Sequence, residues 1–390
     1  MSESSLQELA VAARASGRVA LDTEFMGEGR YLTLLCLIQL ALPRAGGEGK
    51  TIVVLDPLAE GFDGSTLGAL LVDPAVEIVV HAGRQDIALL RRALECDVQN
   101  VFDTQVAAGF LGMPAQCSYE TLLAEMLGVK LAKTASFTRW DARPLSAEQL
   151  SYAREDVVHL LELAAELELR LKQAGRLQWA REECEFLERV SDERDLDAIF
   201  ARLPRIRGMS AASQRVAREL VAWREQTAAR QNRPVQGVLS DAALVEIAKR
   251  KPSSPHKLEE IRGVGQGSLR KRGEELLAAV QRGLQSTHEP LASGPRPIHT
   301  RPDDAPLIAL SEALVRSRAR EADLAYELLA SRADLQAIVA GERTGERADV
   351  RTLGGWRREL VGEELLALLD GRLSLAALDQ RLLIEPRPLS

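Results

Sequence analysis

Residues 19–25, Val-Ala-Leu-Asp-Thr-Glu-Phe, place two carboxylates inside a short apolar stretch that is typical of a buried strand. Gly17 and Gly27 bound this stretch. Successive strand residues face opposite sides, so Asp22 and Glu24 share one face, about 7 Å apart along the strand. Two carboxylates on one face of a buried strand repel each other and lose hydration unless a cation lies between them. The stretch therefore predicts a divalent metal site, with an edge strand whose carboxylates face water as the alternative.

The composition is that of a globular protein. The length of 390 residues is enough for two or three domains. No apolar run reaches the roughly 18 residues that span a bilayer, and the first residues lack the basic and apolar regions of a signal peptide. We therefore expect a cytoplasmic protein without a membrane partner. The four cysteines have no C-x-x-C spacing, which predicts free thiols in a reducing compartment and no zinc site.

Charge is distributed unevenly along the chain, whose net charge is −7. Residues 202–285 contain 17 Lys and Arg against 8 Asp and Glu. The asymmetry suits an acidic metal-binding part beside a basic part that could hold phosphates. A solvated basic helical face is the alternative.

Hydrophobic periodicity divides the chain into an α/β part and two helical parts. Apolar, β-branched stretches predict strands at residues 19–25, 32–42, 51–55 and 77–81. Helical patterns lie at residues 5–15, 65–71, 85–94, 105–111, 119–127 and 147–172. Together they predict a mixed sheet flanked by helices. The predicted domains are 1–175, a connecting helix over 176–207, a helical bundle over 208–287, a Pro- and Gly-rich linker over 288–306, and a helical domain over 307–390, whose pattern is wholly helical to about residue 378.

Two further carboxylates and a tyrosine follow the first strand. Asp86 lies in the first turn of a predicted helix at the end of a strand, where a sheet usually presents its active site; a favourable helix-dipole interaction is the alternative. Tyr152 and Asp156 are four residues apart and so share one face of a predicted helix. That pair could also be a simple boundary between buried and exposed positions.

The order of these acidic residues resembles the signature of the DEDD exonucleases, in the branch with tyrosine in the third motif. The residues that carry the resemblance are Asp22, Glu24, Asp86, Asp156 and Tyr152. Residues 15–165 are similar to the ribonuclease D family more specifically. The matching segments are Leu21-Asp22-Thr23-Glu24-Phe25, Leu37-Ile38-Gln39-Leu40, Asp56-Pro57-Leu58, residues 81–86, Phe102-Asp103-Thr104-Gln105, Arg143-Pro144-Leu145 and residues 152–156. One segment departs from the family, since Thr138-Arg139 precede Trp140 where the family often has Ser-Asp.

The basic helical part resembles the helicase-and-RNase-D C-terminal (HRDC) domain. The resemblance lies in residues 214–224, Arg233-Pro234, residues 244–248 and residues 258–265. Gly263-Val264-Gly265 could offer backbone N–H groups to a phosphate, with Arg270, Lys271 and Arg272 nearby, or could be only a tight turn between helices. Residues 307–390 are similar to the second, divergent HRDC copy of ribonuclease D.

The resemblance implies a ribonuclease-H-like α/β exonuclease domain followed by two all-α helical-bundle domains. It implies a 3′–5′ exoribonuclease that trims RNA 3′ ends, such as those of transfer RNA precursors, without an obligate protein partner. Asp22 would bridge two divalent ions, Mg²⁺ or Mn²⁺, while Glu24 and Asp156 hold the ion that activates water and Asp86 reaches the other through water. Tyr152 would orient the attacking water, and nucleoside 5′-monophosphates would be released.

Several residues are candidates for contacts with the nucleic acid. They are Phe25, Lys133, Trp140, Arg143, Arg270, Lys271 and Arg272, together with Phe137. The aromatic residues among them could equally belong to the core. Two alternative functions stay open: a DNA exonuclease of the same fold and an inactive nucleic-acid-binding protein. The chain has no G-x-x-x-x-G-K-[ST] motif, so it carries no helicase P-loop.

Overall fold

The computed structural model describes the backbone of residues 3–44, 49–131, 139–264, 266–290 and 301–387, and the side chains of these residues apart from 3–5 and 266–271. The chain forms two compact units. The first comprises Met1–Glu24, Cys36–Ser191 and Pro297–Ser390, and the second comprises Phe25–Leu35 and Asp192–Arg296. Among the described residues, no helix combines the length and the apolarity that crossing a membrane requires.

The sheet of the first unit has five strands in the order β3-β2-β1-β4-β5. The strands are β1 (Arg18–Met26), β2 (Leu34–Pro43), β3 (Lys50–Leu55), β4 (Glu77–Val80) and β5 (Val101–Asp103). β4 is parallel to both β1 and β5, whereas β3 is antiparallel to β2. The predicted mixed sheet is therefore confirmed. The sequence did not predict β5, because three residues are too few to show a strand alternation.

Helices pack around this sheet. They are α1 (Glu3–Ser16), α2 (Ser65–Leu71), α3 (Arg84–Ala93), α4 (Thr104–Gly109), α5 (Tyr119–Leu127), α6 (Ala147–Val158) and α7 (Leu160–Gln173). The single helix predicted over 147–172 is wrong in one respect, since it is interrupted at His159. The Lys50 ammonium donates a hydrogen bond to the carbonyl of Val158 and so competes with the helical hydrogen bond at this point.

The predicted connecting helix over 176–207 is shorter and discontinuous. α8 (Leu177–Glu185) runs into a 3₁₀ turn at Phe186–Arg189, and α9 (Leu196–Ala201) starts only after a polar segment. Asp195 ends that segment as an N-cap, because its carboxylate accepts a hydrogen bond from the backbone N–H of Asp197. Ala180 and Cys184 of α8 are buried, so α8 packs as part of the first unit.

The second unit is helical. Its helices are α9, α10 (Ala211–Gln231), α11 (Val235–Val238), α12 (Asp241–Arg250), α13 (Pro255–Glu259) and α14 (Gln266–Gln285). Their apolar faces close over a core that includes Leu220, Leu244 and Leu258. Residues 25–35 belong to this unit through Tyr31, whose hydroxyl donates to Glu225 Oε2 at 3.1 Å.

The C-terminal region is helical to Leu369 and ends in a β-hairpin. Its helices are α15 (Asp304–Glu321), α16 (Tyr326–Leu329), α17 (Arg332–Thr344), α18 (Gly355–Arg357), a π-helical turn at Arg358–Gly362, and α19 (Glu363–Leu369). Strands β6 (Leu373–Leu378) and β7 (Arg381–Pro386) follow, so the wholly helical pattern predicted to about residue 378 is wrong there. Asp379 and Gln380 both have positive φ, which is the two-residue type I′ turn of a hairpin.

The C-terminal region shares one hydrophobic core with the exonuclease part of the first unit. The Trp356 ring lies 4.9 Å from that of Trp179, nearly parallel to it, and 5.4 Å from that of Phe110. The backbone N–H of Ala325 donates to the carbonyl of Gly109 at 2.8 Å. The exonuclease fold and residues 301–387 therefore belong to one compact unit with a common core. The domain boundaries predicted at 175, 207, 287 and 306 remain predictions.

Replacing Trp356 by alanine should destabilise the whole first unit. The substitution empties a buried site that Trp179 and Phe110 line, and such truncations cost about 3–5 kcal/mol. Urea unfolding followed by circular dichroism measures this loss. The control is Leu310→Ala on α15, where the leucine is exposed and the cost should stay within about 0.5 kcal/mol. Equal losses for the two variants would contradict a shared core.

Candidate active site

Three carboxylates converge where β1 faces α6. Asp22 and Glu24 lie on β1 and Asp156 lies on α6, and one ligand atom from each lies within 4.8 Å of the other two. The start of α6 is fixed by a capping box, in which the side chains of Ser146 and Gln149 each accept the other's backbone N–H. The fold thus brings the two carboxylates of β1 next to a carboxylate that lies more than 130 residues later in the sequence.

Asp86 approaches the site from the first turn of α3, as the sequence predicts. The Thr23 hydroxyl, between the two acidic residues of β1, donates a hydrogen bond to Asp86 Oδ1. The carboxylate of Asp103 accepts hydrogen bonds from the backbone N–H groups of Ala82 and Gly83 at 3.0 and 2.8 Å. It also caps α4. Asp103 thereby fixes the turn from which Asp86 projects.

Burial and mutual repulsion raise the carboxyl pKa values throughout the cluster. Burial, followed by the charge of Asp156, raises the pKa of Glu24 to about 8. Burial, followed by the charge of Glu155, raises the pKa of Asp156 to about 7. The pKa of Asp22 lies well above its ordinary value, through burial and then the charge of Asp86, and burial also raises the pKa of Asp86. Such a cluster gains stability from binding either protons or cations.

Tyr152 lies one helical turn before Asp156 on α6. Burial, with the nearby charges of Asp156 and Glu24, raises its pKa to about 12. The phenol therefore stays protonated at neutral pH, so it can donate a hydrogen bond but cannot act as a base. Its ring lies 6.1 Å from that of Trp140.

Trp140 and Arg143 do not have the surroundings expected of nucleic-acid contacts. Trp140 is only 3% exposed, so its ring belongs to the core beside Tyr152 and offers no face to a base. The Arg143 guanidinium donates to both carboxylate oxygens of Asp56 and to backbone carbonyls. Trp140 is therefore corrected to a structural neighbour of the site, whereas the nucleic-acid contact of Arg143 stays a prediction that its present partners disfavour.

The other proposed contacts stay predictions. Phe25 is half-buried and belongs to the second unit. Arg272 donates to Gln231 Oε1 at 2.6 Å. The remaining candidates, Lys133 and Phe137 as well as the side chains of Arg270 and Lys271, lie outside the described residues.

The sequence pattern assigns no role to Thr23, Asp56 or Asp103. An Asp followed by Thr-Gln at the start of a helical pattern is an N-cap signature, so the capping role of Asp103 was detectable. Its bonds to Ala82 and Gly83, about 20 residues away, carry no local signal. The pairing of Asp56 with a residue 87 positions later is equally hidden.

A mixed sheet that carries a carboxylate cluster suits a metal-dependent nuclease, and comparison with known proteins identifies the kind of nuclease. Residues 1–172 match the family model described as 3′–5′ exonuclease, and residues 213–280 match the model of the HRDC domain. Ribonuclease D of Granulibacter bethesdensis is 37% identical over 374 residues, covering 95% of this chain and 92% of its own. Ribonuclease D of Nitrobacter hamburgensis is 36% identical over 364 residues, covering 92% and 91%.

A solved structure gives the same result. The crystal structure of Escherichia coli RNase D superposes with a TM-score of 0.79 at 27% identity, covering 95% of this chain and 97% of the other. The chain therefore belongs to the ribonuclease D family, and it is a 3′–5′ exoribonuclease. The carboxylate cluster is suited to a divalent metal ion, because carboxylate oxygens are the ligands that such hard cations prefer.

The raised pKa values predict that the metal-free protein loses stability as the pH rises from about 5 to 8. In this range the folded protein keeps protons on Glu24 and Asp156 that the unfolded chain has released, so unfolding becomes more favourable at higher pH. Each tenfold difference in proton affinity corresponds to about 1.4 kcal/mol. Melting temperatures in EDTA across this range should fall for the wild type and fall less for Glu24→Gln.

The control for this measurement is Glu60→Gln, an exposed carboxylate in a turn, which should follow the wild type at every pH. Mg²⁺ added at pH 8 should raise the melting temperature of the wild type more than that of Glu24→Gln. Parallel pH profiles for wild type and Glu24→Gln would show that the cluster does not govern this dependence.

Proposed function

We propose that this exoribonuclease trims the 3′ ends of structured RNA, such as transfer RNA precursors, by hydrolysis with two divalent metal ions. The products are nucleoside 5′-monophosphates, released one at a time. The observation that carries the proposal is the convergence of Asp22, Glu24 and Asp156, with ligand atoms within 4.8 Å of one another. Escherichia coli RNase D, which is similar over nearly its whole length, is an exoribonuclease involved in structured RNA processing, and this supports the substrate class.

The chemistry of the four carboxylates fits Mg²⁺ or Mn²⁺. These hard ions take oxygen ligands, and the buried carboxylates have raised pKa values that a bound cation would reverse. Asp22, Glu24 and Asp156 would hold one ion, and Asp22 with Asp86 would hold the second. When bound, such ions lower the pKa of water and neutralise charge that develops on the phosphate and on the leaving oxygen.

The protein's own residues supply orientation. Tyr152 stays protonated and donates a hydrogen bond that orients the attacking water next to Asp156. The Thr23 hydroxyl holds Asp86 in one rotamer, and Asp103 fixes the turn before it. Because these supports lie on a strand and on helix starts, the carboxylates are arranged before substrate arrives, which favours catalysis by positioning.

Asp22→Asn should abolish cleavage while leaving the fold intact. The amide keeps the size of the side chain but removes one negative charge and one metal ligand, and relief of repulsion should even raise the stability of the metal-free protein. The measurement is a time course on a 3′-extended transfer RNA with Mg²⁺ or with EDTA, in which 5′-monophosphates are quantified by chromatography. Glu60→Gln is the control and should keep wild-type activity.

A matched single-stranded DNA oligomer in the same time course separates the alternatives. Preferential release of nucleotides from RNA supports the proposal, whereas faster release from DNA favours a DNA exonuclease. Cleavage by Asp22→Asn at the wild-type rate would refute the assignment of the metal site. No cleavage by the wild type with any divalent ion would leave the inactive binding protein as the better description.

The basic segment of the HRDC domain is proposed to hold RNA phosphates. Reversal of charge at Arg270, Lys271 and Arg272 should then weaken RNA binding and flatten its salt dependence. In a plot of the logarithm of the RNA-binding constant against the logarithm of the salt concentration, the slope should change by about 0.7 for each phosphate that the variant no longer neutralises. Fluorescence anisotropy with a labelled RNA in EDTA at several salt concentrations measures both effects.

Three exposed arginines of the C-terminal region, Arg347, Arg372 and Arg381, provide a control of equal charge change. Their reversal to glutamate should leave the slope as in the wild type. Equal flattening in both triple variants would mean that total charge, and not this segment, governs RNA binding.

A further inference from the structure

The loop before α6 is fastened to the sheet by one arginine. Arg143 Nε and Nη2 donate to the two carboxylate oxygens of Asp56 at 2.7 and 2.6 Å. Nη2 also donates to the carbonyl of Cys36 at 3.1 Å, and Nη1 donates to the carbonyls of Trp140 and Ala142 at 2.8 and 2.7 Å. A guanidinium has five N–H donors, and all five have protein acceptors here.

This arrangement joins three separate segments. Asp56 directly follows β3, where its Oδ1 also accepts the backbone N–H of Leu58 at 2.9 Å. Cys36 lies in β2, and Arg143 lies in the loop that leads to α6. The hydrogen bond from Arg143 lowers the pKa of Asp56, so the pair stays ionised at neutral pH. The loop is thereby fixed in position relative to two strands of the sheet.

Trp140 links the hydrogen bonds of Arg143 to the active site. Its carbonyl is held by Arg143, and its ring is buried 6.1 Å from the ring of Tyr152 at an angle of 40°. A phenol ring half-embedded in the protein takes its position from the groups that pack against it. A shift of Trp140 would therefore move the Tyr152 hydroxyl.

We propose that Arg143 and Asp56 form a positioning pair that holds Trp140 against Tyr152 and so aims the Tyr152 hydroxyl at the attacking water. The proposal rests on the proposed role of Tyr152 in hydrolysis. It accounts for two motifs, Asp56-Pro57-Leu58 and Arg143-Pro144-Leu145, that the carboxylate cluster does not use. Arginine is required because its planar fork matches both carboxylate oxygens and still reaches the carbonyls, which a lysine ammonium cannot do.

The competing explanation is that Arg143 contacts an RNA phosphate. The two explanations predict different kinetics. A positioning residue changes the rate constant of cleavage and leaves RNA affinity unchanged, whereas a phosphate contact changes the affinity and its salt dependence. The five protein acceptors of Arg143 favour positioning, since binding a phosphate would break bonds that already exist.

The test uses the full chain with Arg143→Lys, Asp56→Asn, Tyr152→Phe and the two double variants with Tyr152→Phe. Single-turnover cleavage of a labelled single-stranded RNA with saturating enzyme and Mg²⁺ gives the rate constant, and anisotropy in EDTA gives the affinity. We expect Arg143→Lys and Asp56→Asn to lower the rate constant about 10- to 100-fold and to change RNA affinity by less than about twofold. Arg347→Lys, at an exposed arginine of the C-terminal region, is the control and should match the wild type.

The double variants are the deciding measurement. In the Tyr152→Phe background, Arg143→Lys should slow cleavage by less than about threefold, because the group that it positions is already gone. Losses that multiply, or a weaker affinity with a flatter salt slope and an unchanged rate constant, would overturn the proposal. If Tyr152→Phe itself cleaves at the wild-type rate, the role of Tyr152 fails, and the single-variant losses then show whether the pair acts elsewhere. If Arg143→Lys does not fold, Asp56→Asn alone and combined with Tyr152→Phe provides the same comparison.

Discussion

Repulsion among buried carboxylates is the constraint on which the rest of the structure depends. Elsewhere in the first unit buried charge is compensated, as where Arg18 pairs with Glu77 at the start of the neighbouring strands. Across the described ranges, by contrast, no lysine or arginine forms an ion pair with Asp22, Glu24 or Asp156, and burial together with the neighbouring carboxylates raises their pKa values. The fold thus maintains a local excess of negative charge that only a proton or a cation can relieve.

Such a cluster needs a rigid frame, because its members gain free energy by moving apart. Three features supply this frame. β1 pairs with the parallel strand β4, and the carboxylate of Asp103 accepts two backbone hydrogen bonds from the turn before α3. A capping box fixes the start of α6. The large shared core beneath them offsets the cost of the charges. Stability and catalysis therefore make opposite demands at this site, which is usual where a protein stores strain for function.

The sequence predicts a functional residue where its chemistry is unusual for the local structural pattern. It does not predict contacts between residues that are distant along the chain. Asp22 and Glu24 stand out because acidic residues are rare in apolar strands, whereas Asp86 and Asp156 are singled out only by the order of motifs that resembles the family. The burial of Trp140 could not be inferred, since an aromatic residue serves cores and stacking surfaces alike. The C-terminal hairpin was missed because Asp-Gln, unlike Asn-Gly, is a weak signal for a turn with two positive φ angles.

The discontinuous first unit has a consequence for biosynthesis. Its core contains residues such as Leu163 and also Leu365, and the whole stretch Asp192–Arg296 of the other unit is translated between them. At ordinary ribosomal speeds that stretch takes roughly 5–20 s to synthesise. During this time the nascent exonuclease segment has an uncovered apolar face around Phe110 and Trp179. The shared core is therefore completed only after the C-terminal region has been synthesised, and until then the growing chain exposes apolar surface of the kind that chaperones bind.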